Sequence, residues 1–192
     1  MDEPYLINEA QSGNIDAYNT LVLHYQDLAY SVAYRIMGEG DSAADAAQDS
    51  FVKAWKKLHQ FKGGNFQAWL MRIVTNTCYD LLKYNKRRPQ SSLDEMTEVN
   101  ESSKWLRSSG DRPDEQHDQA AVFNAIQDCL NNLSDDQRVI AVLCDVEGYD
   151  YQDAADIAQC SLGTVKSRLN RARGKLRDCL RGFGELLPDK YR

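Results

Sequence analysis

Hydrophobic residues recur every three or four positions along most of the chain, and this spacing is typical of helices with one buried face. No segment alternates between apolar and polar residues as a half-buried strand would. The pattern therefore predicts an all-α protein. In the first half, the predicted helices run over residues 15–37, from 41 to about 58, and from 66 towards 84.

Each predicted helix carries an apolar stripe that should face a core. Asp41 or Ser42 is expected as the N-cap of the second helix, because short polar side chains accept bonds from free backbone N–H groups. The stripe of this helix consists of Ala44, Ala47, Phe51, Ala54, Trp55 and Leu58. The stripe of the third helix consists of Trp69, Leu70, Ile73, Val74, Thr77 and Leu81.

The second half of the chain repeats the helical pattern. Ser134 is expected to cap a helix that ends near Gly148, and a short helix at 151–158 is followed by a tight turn. A longer helix then runs from Leu162 to Leu180. The helix before Ser134 is predicted from the stripe Val122, Ile126, Leu130 and Leu133.

Between the two halves, the chain is rich in serine, proline and acidic residues and has few large apolar ones. Such a segment buries too little surface to offset the entropy lost on ordering. We therefore predict two small helical domains, 1–88 and 118–192, joined by a flexible acidic linker over 89–117.

The composition indicates a soluble cytoplasmic protein. No apolar run could cross a bilayer, so stable membrane insertion is not expected, and the acidic N-terminus is unlike a secretory signal. The five cysteines are odd in number and are expected as small buried residues, with redox sensing the less favoured alternative. Three histidines and no close cysteine pairs predict neither a metal site nor a cofactor.

The net charge of −6 conceals two basic segments. Residues 61–92 hold six bases against one acid, and residues 161–192 hold nine bases against three acids. Residues 121–160 hold eight acids against one base. Two positive segments separated by acidic ones indicate two anion-binding surfaces, although a charge run by itself is often only a solvated face.

The last long helix has a layout suited to the major groove of DNA. At about 100° per residue, its apolar residues collect on one side. Ser167, Asn170 and Gly174 lie roughly opposite, and cations flank them on both edges: Lys166, Arg173 and Arg177, then Arg168, Arg171 and Lys175. Short polar residues suit base edges and cations suit phosphates. With the short helix before it, this predicts a helix-turn-helix, the alternatives being a solvated basic helix or a tail for an acidic partner.

The helix from residue 66 suggests contact with unpaired DNA. Tyr84 offers a stacking surface beside an amide and several cations, a combination that suits a base held out of its stack. Alone, this pattern fits a plain surface helix at least as well. Its outward face carries Arg72, Asn76, Asp80, Lys83 and Arg87.

Two long segments resemble a known family. The segment DAAQDSFVKAWKKLHQFKGGNFQAWLMRIVTNTCYDLLKYNKRRP resembles region 2 of bacterial sigma factors. The segment LSDDQRVIAVLCDVEGYDYQDAADIAQCSLGTVKSRLNRARGKLRDCL resembles their region 4. The short length, with a linker in place of region 3, is similar to the extracytoplasmic-function (ECF, group IV) type.

The resemblance implies a promoter-specificity subunit of RNA polymerase. Its expected partners are core polymerase, through the β′ coiled coil and the β flap, promoter DNA, and an anti-sigma factor. The matching positions imply core-polymerase binding by Asp45, Gln48, Asp49 and Trp55, although surface acids and a packed tryptophan would look the same. They imply contact with the −10 element by Lys62, Asn65, Arg72, Asn76, Lys83, Tyr84, Arg87 and Arg88. They imply contact with the −35 element by Thr164, Lys166, Ser167, Arg168, Asn170, Arg171 and Arg173.

Two other classes of function compete with this one. A two-domain helix-turn-helix regulator would bind an operator without joining polymerase, and co-purification with polymerase would distinguish the two. An enzyme is not expected, because no nucleophile motif, phosphate-binding glycine loop or paired carboxylates appear, and no catalytic residue is predicted.

Overall fold

The computed structural model describes residues 1–87 and 113–184, with side chains described for 1–86 and 121–184. Most of the predicted linker and Arg88 therefore lie outside the described residues. Within these ranges the chain is helical and contains no strand, which confirms the all-α prediction. The helices are α1 (Glu3–Gln11), α2 (Ile15–Met37), α3 (Gly40–Lys57), α4 (Phe66–Arg87), α5 (Pro113–Asn131), α6 (Asp135–Ala141), α7 (Tyr151–Ile157) and α8 (Leu162–Leu180).

Several helix ends differ from the sequence-based expectation. Helix α1 was not predicted; it begins where the Asp2 carboxylate accepts a bond from the backbone N–H of Tyr5. Helix α3 begins at Gly40 with Glu39 in the N-cap position, so the expected caps Asp41 and Ser42, two and three residues later, are wrong. Helix α5 begins at Pro113, so residues 113–117, at the end of the predicted linker, are helical.

The buried faces of two helices are rotated from the predicted stripes. In α3 the buried residues are Ala43, Ala46, Ala47, Ser50 and Ala54, whereas Ala44 is exposed. Small residues on this face let α3 approach α2 closely, so the large Phe51 and Trp55 are only half-buried at its margin. In α5, Ala125, Cys129 and Leu130 are buried, while Val122 and Ile126 are half-buried.

Helices α1–α4, the N-terminal unit, and α5–α8, the C-terminal unit, share a continuous set of buried apolar residues. Phe123 on α5 stacks on Tyr34 of α2, with ring centroids 5.8 Å apart. The guanidinium of Arg35 lies 4.2 Å from the centre of the same Phe123 ring, in cation–π geometry. The two units are therefore in apolar contact through α2 and α5.

Arg138 of α6 joins the two units through backbone carbonyls. It is 7% exposed, and its Nη1 donates to the carbonyl of Ile36 in α2 at 2.7 Å. Its remaining guanidinium N–H groups donate to Leu130, Asn131 and Leu133 at 2.9–3.3 Å. The cation thus lies at the carbonyl ends of α2 and α5, where the helix dipoles favour positive charge.

One covalent contact lies within the C-terminal unit. Cys129 of α5 and Cys179 of α8 form a disulfide with a Cα–Cα distance of 5.7 Å. The expectation that all five cysteines are buried thiols is therefore wrong for this pair, because sequence spacing does not reveal which helix ends meet.

Candidate nucleic-acid interface

Helix α8 follows α7 after a short turn and is capped by its own sequence. The Ser161 hydroxyl accepts a bond from the backbone N–H of Thr164 at 3.1 Å, which fixes the start of α8. Val165, Leu169 and Ala172 are buried, as the periodicity predicts. A short helix, a turn and a longer helix with one face in the core give the layout of a helix-turn-helix.

The predicted DNA-binding residues of α8 lie on its outer side. Thr164 and Arg168 are half-buried, and the Ser167 hydroxyl donates to the carbonyl of Thr164 at 3.0 Å. This exposed strip extends over about two helical turns, so it is long enough to contact a nucleic acid. Its exposed members are Lys166, Ser167, Asn170, Arg171 and Arg173.

Two cations of this strip are paired with acids of the same unit. Arg168 Nη2 lies 2.5 Å from a carboxylate oxygen of Asp136, and Arg173 Nη2 lies 2.6 Å from one of Asp145. The hydrogen bonds from Arg173 to Asp145 raise the pKa of Arg173 above its ordinary value. Both acids belong to the acidic segment 121–160, so that segment partly neutralises the strip.

The loop before α4 is open to solvent and its last residue is a helix cap. Gly63 and Gly64 both have φ of +98°, which side-chain-bearing residues rarely adopt, and Lys62 beside them is exposed. The Asn65 side chain accepts a bond from the backbone N–H of Ala68 at 3.0 Å. Asn65 therefore has a structural role in starting α4, whatever else it contacts.

The outer face of α4 is only partly open. Arg72, Lys83 and Tyr84 are exposed, whereas Asn76 is half-buried. The ammonium of Lys83 lies 5.8 Å from the centre of the Tyr79 ring. The side chain of Arg87 lies outside the described ones.

The C-terminal unit covers one edge of α4. Tyr79 donates from its hydroxyl to Asp136 at 3.2 Å, and Lys86 Nζ lies 2.5 Å from a carboxylate oxygen of Asp135. Burial, followed by the charge of Asp136, raises the pKa of Tyr79 and keeps it a neutral donor. When the Gln159 amide is assigned the orientation that its neighbours favour, its side-chain oxygen accepts from Arg72 Nη2 at 2.8 Å.

The four residues proposed for polymerase contact fall into two groups. Asp45, Gln48 and Asp49 are exposed on α3. Trp55 is half-buried, and its ring lies 4.8 Å from that of Tyr18. Trp55 therefore contributes to packing.

The N-terminal and C-terminal units each match a known sequence family. Residues 21–88 match the model of Sigma-70 region 2, and residues 123–176 match Sigma-70, region 4. An ECF RNA polymerase sigma-E factor of Haemophilus influenzae is 33% identical over 171 residues, which cover 88% of this chain and 89% of the relative. This chain belongs to the ECF RNA polymerase sigma factors. The RNA polymerase sigma-H factor of Pseudomonas aeruginosa is also 33% identical, over 88% of each chain.

Solved structures support the fold of this sigma factor. The sigma factor RpoE of Bartonella quintana, solved with the anti-sigma factor NepR, matches with a TM-score of 0.67 at 28% identity, over 85% of this chain and 96% of that one. CnrH, solved with the cytosolic domain of CnrY, matches with a TM-score of 0.63 at 28% identity, over 93% and 96%. The region 2 match favours a polymerase subunit over an independent operator-binding regulator.

Sequence reasoning on this sigma factor missed the residues that join region 2 to region 4. Tyr79, Lys86, Asp135, Asp136 and Gln159 were not assigned to any site, yet they connect α4 to α6 and to the turn after α7. The excess of acids over residues 121–160 was the available signal. It could not identify partners that lie 49 and 57 positions away.

Proposed function

We propose that this sigma factor directs core RNA polymerase to promoters by contacting the −35 element through α8 and the −10 element through α4. The observation that supports this most directly is the exposed strip of α8, which is polar at its centre and cationic at its edges. Ser167, Asn170 and Arg171 face base edges in this arrangement, and Lys166, Arg168 and Arg173 face phosphates. Thr164 lies at the start of the same strip.

On region 2, unpaired promoter DNA follows the glycine loop and the outer face of α4. Lys62 and Arg72 contribute charge, Tyr84 a stacking surface, and Asn76 hydrogen bonds to a base. Lys83, Arg87 and Arg88 extend the positive face, and Asn65 holds the loop against α4. Asn76 is half-buried while region 4 lies beside it, so full contact with a base requires region 4 to move away.

The polymerase-binding surface on region 2 is the exposed side of α3. Asp45, Gln48 and Asp49 present acceptors and an amide there, which suits the basic and polar side chains of a helical partner such as the β′ coiled coil. Region 4 would bind the β flap. Because polymerase holds both regions on one assembly, the weak DNA contacts of each act intramolecularly and reinforce each other.

In the structure, region 4 packs against α4 of region 2, and we call this arrangement the closed form. We further propose that the closed form is a resting form with low affinity for promoter DNA. Region 4 engages Arg72, Tyr79 and Lys86 of α4, and Asp136 engages Arg168 of α8. The contacts of Arg72 and Arg168 compete with DNA for these side chains, whereas those of Tyr79 and Lys86 hold region 4 over the same edge of α4. Binding to polymerase would separate the regions and release α4, while DNA itself would displace Asp136 from Arg168, because that pair lies within region 4.

The cell compartment and the regulatory partner follow from the same function. A polymerase subunit works in the cytoplasm, and we propose that location here. In the part of the chain that the structure describes, none of the helices has a hydrophobic stretch that could span a bilayer. The similar sigma factor RpoE of Bartonella quintana was solved with the anti-sigma factor NepR, so we propose a partner of this kind here. No catalytic step is part of this function.

Run-off transcription with purified core polymerase and a promoter library tests the proposal. Core polymerase with this chain should start transcripts selectively at a subset of templates that share two elements at a fixed separation. Core polymerase with the Arg171→Ala variant should lose selectivity for one of the two elements. Transcription no more selective than that of core polymerase alone would contradict the proposed function.

A further inference from the structure

The disulfide between α5 and α8 lies where a permanent bond is not expected. Cys129 is in the last turn of α5 and is 1% exposed, while Cys179 is in the last turn of α8 and is half-buried. Disulfides in the reducing cytoplasm are rare, and those that form there are usually transient. A bond at this position in a polymerase subunit is therefore best explained as reversible.

The packing of α5 against α8 brings the two cysteines together. Helices α5 and α8 lie side by side, with Leu130 next to Cys129 buried at 1% exposure. The Cα–Cα distance of 5.7 Å lies within the range that a disulfide spans without backbone movement. The Asn132 side chain also donates to the sulfur of Cys179 at 3.8 Å. The bond can therefore open and close while the helices keep their places.

Two of the other described cysteines, Cys78 and Cys144, are poorly suited to exchange. Burial raises the pKa of the Cys78 thiol to about 12 and that of Cys144 to about 11, so few of these thiols are ionised at neutral pH. The thiolate is the form that attacks a disulfide. Cys160 is half-buried and free, and it offers a matched control.

We propose that Cys129 and Cys179 are a reversible redox site, oxidised by small-molecule disulfides of the glutathione class and reopened by the corresponding thiols. The half-buried Cys179 thiolate attacks glutathione disulfide, forming a mixed disulfide and releasing one glutathione thiol. The Cys129 thiolate then attacks the Cys179 sulfur and releases the second. In total, two protein thiols and one glutathione disulfide give one protein disulfide and two glutathione thiols.

Oxidation would link α8, the DNA-contacting helix, covalently to α5, the helix that contacts region 2. The bond closes a loop with a sequence separation of 50, which contains α6, α7 and nearly all of α8. On its other side, α5 contacts α2 through Phe123 and through Gln127, whose amide donates to the carbonyl of Arg35 at 3.4 Å. The oxidised C-terminal unit should therefore be more resistant to unfolding than the reduced one.

The test uses the full-length protein in glutathione buffers of graded ratio. Free thiols are counted, and peptides are analysed by mass spectrometry after thiol blocking. Wild type should fall from five free thiols to three, with Cys129 joined to Cys179, and dithiothreitol should restore all five. The Cys160→Ser control should lose the same two thiols, and Cys179→Ser should lose none to an internal bond.

Thermal unfolding supplies a second readout. The oxidised wild type should unfold at a higher temperature than the reduced protein, by on the order of 10 °C, and the difference should vanish in Cys179→Ser. Cys129→Ala provides a second variant if Cys179→Ser fails to fold. A glutathione adduct on Cys179 without the internal bond, a different cysteine pair, a bond that dithiothreitol does not open, or equal unfolding temperatures would each overturn the proposal.

Discussion

Replacing Asp135 and Asp136 by asparagine tests whether the contact between regions 2 and 4 limits DNA binding by the free factor. Asp135 pairs with Lys86 at 2.5 Å, and Asp136 accepts from Tyr79 at 3.2 Å. The double variant keeps the shape of both side chains but removes their charge. It should therefore weaken the closed arrangement without creating a cavity.

The size of the effect follows from the exposure of these contacts. The Lys86–Asp135 pair is solvent-accessible, with 67% and 21% of the two side chains exposed, and such pairs contribute about 0.2–1 kcal/mol. The asparagine side chain at position 136 can still accept from the Tyr79 hydroxyl, but a hydrogen bond to a charged group contributes about 1 kcal/mol more than one to a neutral group, and that difference is lost. Together they amount to about 1–2 kcal/mol, or roughly 5–30-fold in the equilibrium between closed and open forms. If only the open form binds DNA, the affinity of the free factor should rise by up to this factor.

The assay is fluorescence anisotropy with a labelled fork DNA that carries only the −10 element, without polymerase and at a fixed salt concentration, so that the release of Arg168 from Asp136 does not contribute. Removing two negative charges raises DNA affinity even without opening. The matched control is therefore Asp128→Asn with Asp156→Asn, which removes the same charge from exposed positions of α5 and α7. The first double variant should bind DNA several-fold more tightly than this control. Equal affinities of the two double variants would refute the inference that region 4 occludes α4.

Three further outcomes are expected. Arg171→Ala should reduce transcription from a −35-dependent promoter by about tenfold or more, because a base contact contributes about 1–3 kcal/mol. Its affinity for core polymerase should be unchanged, and a loss of core binding would contradict its assigned role. Gln48→Ala should weaken core binding in a pull-down with an unchanged unfolding temperature, whereas Trp55→Ala should lower the unfolding temperature by removing packing worth about 3 kcal/mol. Gly38→Ala should lower the free energy of unfolding by about 1 kcal/mol or more in chemical denaturation. The reasons are that Gly38 has φ of +80° and that an added Cβ would collide with Asn131. Adding Asn131→Ala should recover only the part of the loss that is due to the collision.

Helix positions could be predicted from the sequence because helical periodicity is a local property. Val165, Leu169 and Ala172 are buried as predicted, and Gly38 ends α2 with its N–H donating to the carbonyl of Tyr34 at 2.8 Å. The rotated stripe of α3 shows where local information fails, because alanines are neither strongly apolar nor large. Only the close approach of α2 determines that Ala43 is buried and Ala44 is not.

The sequence predicts which cations belong to the candidate site, but not the contacts that they make in the structure. Helical phase places Arg168 at the edge of the outer face of α8, and Lys86 is one of the six bases of residues 61–92. The sequence does not indicate that Asp136 and Asp135 hold them, because contacts over separations of 32 and 49 residues arise from tertiary packing. The disulfide escaped prediction for the same reason, since Cys129 and Cys179 are brought together only when α5 and α8 are packed.

Region 4 and DNA compete for Arg72 of α4, so the closed and DNA-bound states of region 2 are mutually exclusive. Within region 4, a carboxylate at 2.5 Å from Arg168 occupies the donor that a phosphate would need. The Lys86–Asp135 pair holds region 4 over the same edge of α4. Because each pair is exposed and weak, the closed form is held by several small contacts together with the buried cation Arg138, so that a single strong partner such as polymerase can exceed their sum. The basic face of α4, which any polyanion could otherwise bind, therefore becomes available only in the state in which both regions are held on polymerase.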